Sequence, residues 1–307
     1  MANVSKGNRK IKTNMAKILV WLRKNGAFAI LIFLAVVAGI IWYAVFSFDA
    51  HHNLRMTVFD IGQGASVCIE APNGNQVLID GGPSSAVLGK LGSAMPLWDR
   101  SIDLIVLTHP HADHVTGLVE VLKRYDVGMV IESGANYSTP EYREWHTLLE
   151  QKHIPVVIAH AGQKIHLAQN TELDILTPFK SFMGVSLNNV HDAMVVSKLI
   201  YASSSVMLTG DAEKPLEYQL ILSGENLKSD ILKAGHHGSK TSTTEDFVRA
   251  VSPKYAVISV GRKNRYGHPN QQTLDMLAKF NIPTFRTDQN GDVEFVSDGR
   301  RFEKVQQ

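Results

Sequence analysis

The segment 109–114 reads HPHADH and contains four side chains that can bind a metal ion, His109, His111, Asp113 and His114. Imidazole and carboxylate ligands together suit zinc, manganese or iron. A short turn lets positions 109 and 111 face one way and positions 113 and 114 another, so the segment could serve two adjacent ions. An exposed polar loop rich in histidine is the alternative, but four potential ligands within six residues argue against it.

The flanking residues predict the elements that position this segment. The apolar run 102–108 is typical of a buried strand, and the apolar spacing over 115–122 suits a helix packed onto a sheet. The segment therefore lies at the C-terminal end of a strand, where open α/β sheets bind their ligands. Other predicted strands lead into Asp80, Asp211 and His236. This recurrence of Asp and His at strand ends indicates a site rather than scattered polar residues.

Composition and charge narrow the classes of function. The 307 residues are 44% hydrophobic and 20% charged, which is ordinary for a globular protein. Residues 1–25 hold seven basic and no acidic residues, which leaves 24 basic against 29 acidic residues in the remainder. This mildly acidic remainder argues against a general nucleic-acid surface, although a local basic groove is compatible with it. Cys68 is the single cysteine, which excludes an internal disulfide and predicts a buried structural thiol.

Residues 26–48 carry no charge and predict a transmembrane helix, since 23 residues at about 1.5 Å each span a hydrocarbon core of about 30 Å. Trp42 and Tyr43 lie near one end, as interfacial aromatic residues do. A cleaved signal peptide is the alternative, but its apolar stretch is usually about 7–15 residues. The positive-inside rule assigns the basic segment 1–25 to the cytoplasm. We therefore predict a cytoplasmic N-terminus, an anchor over 26–48 and an extracytoplasmic domain over 54–307.

Several phrases of the sequence, taken in order, resemble the metallo-β-lactamase superfamily. Besides HPHADH, which matches the HxHxDH motif, they are FDIGQG at 59–64, LIDGG at 78–82, LTGDA at 208–212, LKAGHHGS at 232–239 and YGHP at 266–269. Together they resemble the hydrolase domain of ComEC-type DNA-internalisation competence proteins and their stand-alone relatives. The resemblance covers residues 54–297. It implies an α/β fold, an αββα sandwich with the metal site along one edge of two sheets, here preceded by a single transmembrane helix.

The resemblance also implies a dinuclear site holding two Zn²⁺ or Mn²⁺ ions. The implied ligands are His109 and His111 on one ion, Asp113 and His114 on the second, Asp211 between the two, and His236 completing the second site. His237 is adjacent, so an exchange between the two histidines stays open. The superfamily places a further histidine ahead of the bridging aspartate. His191 stands near that position, where competence-type domains often have an Asn/Asp-containing stretch with Ser instead.

Supporting and catalytic roles follow from the same resemblance. Asp80, and Asp60 with it, would hydrogen-bond a ligating histidine and fix its tautomer and ring orientation. Asp113 would orient the nucleophile as well as bind metal. The candidates for phosphate contact or leaving-group protonation are Lys233, His237, Ser239, Ser242, Tyr266 and His268. An ordinary role at a turn or strand end is the alternative for each of these side chains.

The sequence therefore predicts a membrane-anchored, extracytoplasmic, metal-dependent hydrolase. A phosphodiesterase or nuclease acting on DNA or on cell-wall phosphodiesters is favoured. Two adjacent divalent ions suit that reaction, since they activate water and stabilise charge on phosphate oxygens. An amide, lactam or thioester hydrolase and a non-catalytic accessory protein with a structural metal are the alternatives. The expected partners are the phosphodiester substrate and, through residues 26–48, a lipid bilayer. A complete competence channel has many spans, so a chain with one predicted span is not expected to be the channel.

Overall fold

The computed structural model describes residues 21, 24–43, 53–96 and 98–306. The chain divides into two compact units at His52 and Asn53. The first unit contains helix α1, Lys24–Tyr43, which has a mean hydropathy of 2.4 and is long and apolar enough to cross a membrane. Most of the predicted basic segment and positions 44–48 of the predicted span lie outside the described residues. The predicted boundaries at 25, 48 and 54 stay predictions.

Two β-sheets form the framework of the second unit. The first sheet consists of β1 (Leu54–Val58), β2 (Val67–Glu70), β3 (Gln76–Ile79), β4 (Ser101–Val106), β5 (Asp126–Glu132), β6 (Val156–Ile158), β14 (Val293–Ser297) and β15 (Phe302–Lys304). The second consists of β7 (Lys164–Ala168), β8 (Thr171–Ile175), β9 (Ser197–Tyr201), β10 (Ser204–Leu208), β11 (Ile231–Lys233), β12 (Tyr255–Ile258) and β13 (Thr284–Arg286). The strand orders are β15-β14-β1-β2-β3-β4-β5-β6 and β13-β12-β11-β10-β9-β8-β7.

Helices cover the outer faces of the sheets. Their bounds are α2 Ala86–Ala94, α3 Ala112–Arg124, α4 Pro140–Gln151, α5 Lys214–Leu222, α6 Glu245–Val251, α7 Gln271–Lys279 and α8 Thr287–Asn290. Two short 3-10 helices, Val190–Ala193 and His236–Gly238, lie in loops.

The alternation of apolar side chains along the strands explains the layering, because successive residues point to opposite faces of a sheet. In β4, Leu104 and Val106 pack between the two sheets, whereas Ile105 packs with α2, α3 and α4. In β10, Leu208 packs between the sheets, whereas Met207 packs with α5, α6 and α7. The result is the αββα sandwich that the sequence predicts.

Parallel pairing brings the strand ends that precede the candidate residues to a common edge. β3 pairs parallel with β4, and β10 pairs parallel with β11. Asp80 follows β3 directly and His109 follows β4, while Asp211 and His236 follow β10 and β11.

Helix α3 packs directly against the loop after β3. The Gly81 amide donates to the His114 carbonyl oxygen (2.8 Å), and the Gly117 amide donates to the Gly82 carbonyl oxygen (2.9 Å). A Cβ atom at position 117 would lie 1.8 Å from the Gly81 carbonyl oxygen, so only glycine permits this approach. The first turn of α3 is thereby fixed beside Asp80.

Candidate metal centre

The start of α3 separates the four side chains of segment 109–114. His111 is the N-cap of the helix and has an extended backbone (φ −65°, ψ 148°), whereas Asp113 and His114 lie in the first helical turn. The change from extended to helical backbone places His109 and His111 in a different donor group from Asp113 and His114, although the His109 and His114 ring centroids lie only 4.1 Å apart. The helix N-terminus also favours the negative charge of Asp113.

His109, His111 and His191 form the first donor group, which we call the histidine group. One ligand atom from each lies within 4.8 Å of the others. His109 Nε2 lies 3.0 Å from His111 Nδ1, and His191 Nε2 lies 3.4 Å from the same atom. Burial, and then the neighbouring imidazoles, hold the pKa of His109 well below its usual value and lower that of His111 to about 4. Both rings are therefore neutral at pH 7, the form that binds metal.

Asp113, His114, Asp211 and His237 form the second donor group, the carboxylate group, again with ligand atoms within 4.8 Å of one another. Asp211 Oδ2 lies 3.3 Å from His114 Nε2 and 3.3 Å from His237 Nε2. Asp113 Oδ2 lies 3.2 Å from His237 Nε2.

The carboxylates reverse the effect of burial on this second group. Burial alone would lower the pKa of His237, but Asp211 and Asp113 raise it to about 9. His114 is shifted upward in the same way by Asp211 and Asp80. Burial would raise the pKa of Asp113, but His114 and His237 lower it to about 2. This concentration of negative charge favours a divalent cation in place of the imidazole protons.

Two buried atoms in the carboxylate group support a metal at this position. His114 Nε2 and Asp211 Oδ1 are buried and have no hydrogen-bond partner among the described residues. Buried polar side-chain atoms are usually hydrogen-bonded, so such orphans need a partner. Imidazole nitrogen and carboxylate oxygen are both ligands for Zn²⁺ and Mn²⁺. The residues present therefore fit a bound divalent cation.

The pair His236 and His237 differs from the expectation that His236 completes the second site. His237 takes that position, and its Nδ1–H donates to the Ser259 carbonyl oxygen (2.9 Å). His236 instead lies near His191 and Asp211. Both residues have left-handed backbones, with φ of 46° and 54°, and this tight turn sends adjacent rings to different positions. His237 is therefore a candidate ligand by its position, and its predicted contact with substrate stays a prediction.

Asp80 contacts a candidate ligand, whereas Asp60 does not. Asp80 Oδ2 lies 2.7 Å from His114 Nδ1, and Asp80 also accepts hydrogen bonds from the Thr108 amide (2.9 Å) and hydroxyl (2.7 Å). The Asp60 carboxylate accepts from the Gly62 amide (3.4 Å), and no hydrogen bond joins it to a histidine among the described residues. The predicted support of a ligating histidine by Asp60 therefore has no hydrogen bond behind it among the described residues.

Sequence reasoning missed Glu213 and Tyr137. Glu213 lies 3.3 Å from His236 Nδ1 and 3.6 Å from His191 Nδ1, and it accepts a hydrogen bond from the Thr241 hydroxyl (2.9 Å). Its position two residues after Asp211, at the same strand end, was the available signal. The Tyr137 ring lies 5.6 Å from the His111 ring.

The remaining candidates surround the two donor groups at different depths. Lys233 is 3% exposed, and its Nζ has no hydrogen-bond partner among the described residues. Burial lowers its pKa despite Asp211 nearby. Tyr266 is 57% exposed and stacks on His268 with the ring centroids 5.9 Å apart. His268 lies 5.9 Å from the His236 ring, so these residues form the rim of the site.

The two serines hold the loop after β11. The buried Ser242 hydroxyl donates to the Gly235 carbonyl oxygen (2.7 Å), and its predicted contact with substrate stays a prediction. The Ser239 hydroxyl lies 3.0 Å from the Thr241 hydroxyl. The loop that carries both histidines is therefore fixed by its own side chains.

Residues 60–262 match the family model of the metallo-beta-lactamase superfamily. ComE operon protein 3 of Bacillus subtilis (strain 168) is 30% identical over 264 residues, 78% of this chain and 33% of that protein. Competence protein ComA of Neisseria gonorrhoeae is 29% identical over 247 residues, 80% of this chain and 32% of that protein. The chain thus spans about a third of the length of the curated relatives it matches.

Solved structures show the same fold at low identity. CmlA, a diiron beta-hydroxylase from Streptomyces venezuelae, has a TM-score of 0.53 at 14% identity and is covered over 54% of its length by 83% of this chain. Igni18, a metallo hydrolase from Ignicoccus hospitalis, has a TM-score of 0.51 at 16% identity, over 80% of this chain and 99% of that chain. The chain belongs to the metallo-β-lactamase superfamily and is related to competence proteins of the ComEC type.

Proposed function

We propose that this chain is a dinuclear phosphodiesterase. The observation that carries the proposal is that the two donor groups are adjacent. His191 of the histidine group and Asp211 of the carboxylate group also belong, with His236, to a third set of potential ligands. Two divalent ions held by these groups would stabilise charge on phosphate oxygens and lower the pKa of a water molecule. Asp211 would bridge the two positions, and the histidine and carboxylate groups would each complete one.

The residues around the two groups take distinct roles in this reaction. Asp113, at the open side of the carboxylate group, would orient the nucleophile. Glu213 contacts His236 Nδ1 and would orient the His236 ring so that its Nε2 faces the centre. At that position Nε2 would suit proton exchange with the leaving group. His268 borders His236 at the rim and would contact the substrate with Tyr266.

The charge of the rim supports an anionic substrate. Residues 261–269 hold Arg262, Lys263 and Arg265 and no acidic residue. All three are exposed and precede His268 in the same loop. The relationship to competence proteins supports DNA as one phosphodiester substrate, and cell-wall phosphodiesters have the same phosphate chemistry.

We also propose that residues 26–48 anchor the chain in a lipid bilayer. The apolar helix α1 supports this, and the basic residues that precede position 25 favour a cytoplasmic N-terminus. The hydrolase domain, residues 54–307, would then act outside the cytoplasmic membrane. Protease added to intact protoplasts is expected to remove that domain, and its full protection would contradict the orientation.

The activity is tested with the full chain in detergent micelles, supplied with Mn²⁺ or Zn²⁺. The substrates are bis(p-nitrophenyl) phosphate, single-stranded DNA and a chromogenic β-lactam. We expect phosphodiester turnover that Asp211→Ala reduces by more than about 100-fold, since even residues behind a ligand contribute about 10–100-fold. The exposed Asp298→Ala is the matched control and is expected to keep full turnover.

Each other outcome rejects the proposal in favour of a stated alternative. Equal phosphodiester turnover by the wild-type chain and Asp211→Ala would reject it outright. Turnover of the β-lactam alone would favour an amide or lactam hydrolase. Two bound metal ions without turnover of any substrate would favour an accessory protein with a structural metal site.

A further inference from the structure

A cavity of about 1400 Å³ opens beside the metal centre, between α4, the ends of β5 and β6, and the segment 183–187. Sites for small molecules are usually about 300–1,000 Å³, so this cavity has room for a sizeable part of a substrate. None of the candidate metal ligands lines it. It is therefore a space adjoining the centre rather than the centre itself.

A series of aromatic rings leads from the metal centre into this cavity. The Tyr137 ring lies 5.6 Å from the His111 ring and 6.4 Å from the Tyr142 ring. The Tyr142 ring in turn lies 4.6 Å from the His146 ring. Tyr137, Tyr142 and His146 all line the cavity. A group attached to a phosphate at the centre would thus pass Tyr137 first.

The far end of the series holds a buried carboxylate. Glu132 is 2% exposed, and its Oε2 accepts a hydrogen bond from the Trp145 indole N–H (2.8 Å). Its Oε1 lies 3.4 Å from His146 Nε2. The cavity therefore combines aromatic rings with a hydrogen-bonding group at its inner wall. Apolar side chains complete the lining, among them Ile154, Ile158, Met183 and Leu187.

The charges of the lining disfavour a chain of phosphates. Among the described residues that line the cavity, Arg143 is the permanent cation and Glu132 and Glu150 are acids. Arg143 donates to the Ser138 carbonyl oxygen (2.8 Å). The three basic residues of loop 261–269 belong to the rim near His268 and do not line this cavity. An uncharged part of the substrate thus fits the cavity, while phosphate fits the centre and the rim.

We propose that this cavity is the subsite for a nucleobase carried by the phosphodiester substrate, with the base against Tyr137 and its hydrogen-bonding edge toward His146. The Glu132 carboxylate behind the His146 ring is buried and already engaged by Trp145 and His146. The assignment rests on the proposed phosphodiesterase function and names its substrate class. An acyl chain would contact the apolar lining but leave the His146 ring without a polar partner from the ligand, and a polyol phosphate chain would place anions beside Glu150. A planar ring with polar edges matches both the aromatic rings and the partly exposed His146.

The test compares three ligands that share one phosphate group: adenosine 5′-monophosphate, glycerol 3-phosphate and methyl phosphate. Their binding to the full chain, loaded with Mn²⁺ in detergent micelles, is measured by calorimetry. We expect the adenosine ligand to bind about tenfold more tightly than methyl phosphate, as one base–aromatic contact permits. Tyr137→Ala is expected to reduce this preference to within about twofold, and Tyr137→Phe, which keeps the ring, to retain it.

Controls separate the subsite from folding and from the reaction. Metal content and the thermal midpoint show whether the Tyr137 variants are folded, and His146→Ala tests the other end of the cavity independently. His166→Ala, whose side chain is 75% exposed on β7, is expected to retain the full preference. Hydrolysis of bis(p-nitrophenyl) phosphate reports the proposed function separately. A preference for the adenosine ligand without that hydrolysis would uphold the subsite and reject the phosphodiesterase.

Three results would overturn the subsite. The first is equal affinity of the wild-type chain for the adenosine ligand and methyl phosphate. The second is a preference that survives both Tyr137→Ala and His146→Ala. The third is binding of glycerol 3-phosphate as tight as that of the adenosine ligand, which would assign the cavity to polyol phosphodiesters.

Discussion

The two donor groups use the same imidazole side chain in opposite electrostatic settings. In the histidine group, burial and neighbouring imidazoles lower the pKa of His109 and His111. In the carboxylate group, Asp211 and its neighbours overcome burial and raise the pKa of His114 and His237. The first group is therefore neutral before metal binds, whereas the second carries protons that a cation must displace. One turn of chain at the start of α3 thus contributes ligands to two donor groups of opposite electrostatic character.

The largest expected effect separates His237 from His236. His237→Ala removes a nitrogen that lies within 3.3 Å of both Asp113 and Asp211, so we expect loss of one bound metal ion and of at least about 100-fold in activity. His236→Ala, changed at the neighbouring position, is expected to keep both ions and lose about 100-fold in rate, the lower end for a general acid or base. Metal content by mass spectrometry and turnover of bis(p-nitrophenyl) phosphate measure this. Loss of a metal ion from His236→Ala alone would reverse the assignment.

The next effect tests the carboxylate behind His114. Asp80→Asn removes the charge 2.7 Å from His114 Nδ1, so affinity at the carboxylate group should fall about 10–100-fold while the histidine group is unchanged. Competition with a chelator measures the two affinities. Asp60→Asn is the matched control and is expected to have wild-type affinity, because no histidine contacts that carboxylate among the described residues. An equal loss in both variants would remove the distinction between them.

A smaller effect is expected at the junction of the groups. Glu213→Gln keeps the size of a side chain that contacts His191 and His236 but removes its charge. We expect kcat to fall about tenfold with both metal ions retained, since orienting groups near a site contribute at the lower end of the 10–100-fold range. Glu172→Gln on β8, which contacts Lys164 and His166 rather than these histidines, serves as the control. An unchanged kcat in Glu213→Gln would show that Glu213 does not orient either histidine.

The smallest effect is the pH dependence of stability in the metal-free chain. The pKa of His237 is raised from 6.5 to about 9, so its contribution is complete below pH 6.5 and is lost as pH rises through 9. The pKa of His111 is lowered from 6.5 to about 4, so the folded state loses stability as pH falls from 6.5 toward 4. Thermal midpoints should therefore be highest near pH 6.5 and fall by a few degrees toward pH 9 on one side and toward pH 4 on the other.

Two variants test which histidine sets the alkaline side and which the acid side of this pH profile. His237→Asn is expected to flatten the alkaline limb, and His111→Asn the acid limb. A wild-type profile in both variants would show that other groups set the pH dependence. Added metal should raise the midpoint across the range, since it binds the folded chain.

Local patterns made the fold and half of the site predictable. The segment 109–114 has its ligands within one turn, so their division by the start of α3 follows from sequence. Strand ends marked Asp80 and Asp211 because parallel strands place their carboxyl ends at one edge. The positions of the His236 and His237 side chains could not be predicted from the sequence, because they depend on two consecutive residues with left-handed backbones.

The other missed features depend on contacts between distant segments. Glu213 gains its role from His191 and His236, each more than 20 positions away in the chain. The cavity beside the centre requires α4 to face segment 183–187, and neither has a motif that signals the other. The loop hydrogen bond of Ser242 could not be predicted, because a serine beside a histidine pair fits a substrate contact and a loop hydrogen bond equally well in sequence.

The contact between Gly117 and Gly81 has a thermodynamic consequence for metal uptake. Because the backbone of α3 rests directly on the loop after β3, His114 is held beside Asp80 before any cation arrives. The conformational entropy of arranging this ligand is then lost during folding and not during binding. Metal therefore binds this part of the centre with its ligand already in position, and the protein does not have to fold around the ion.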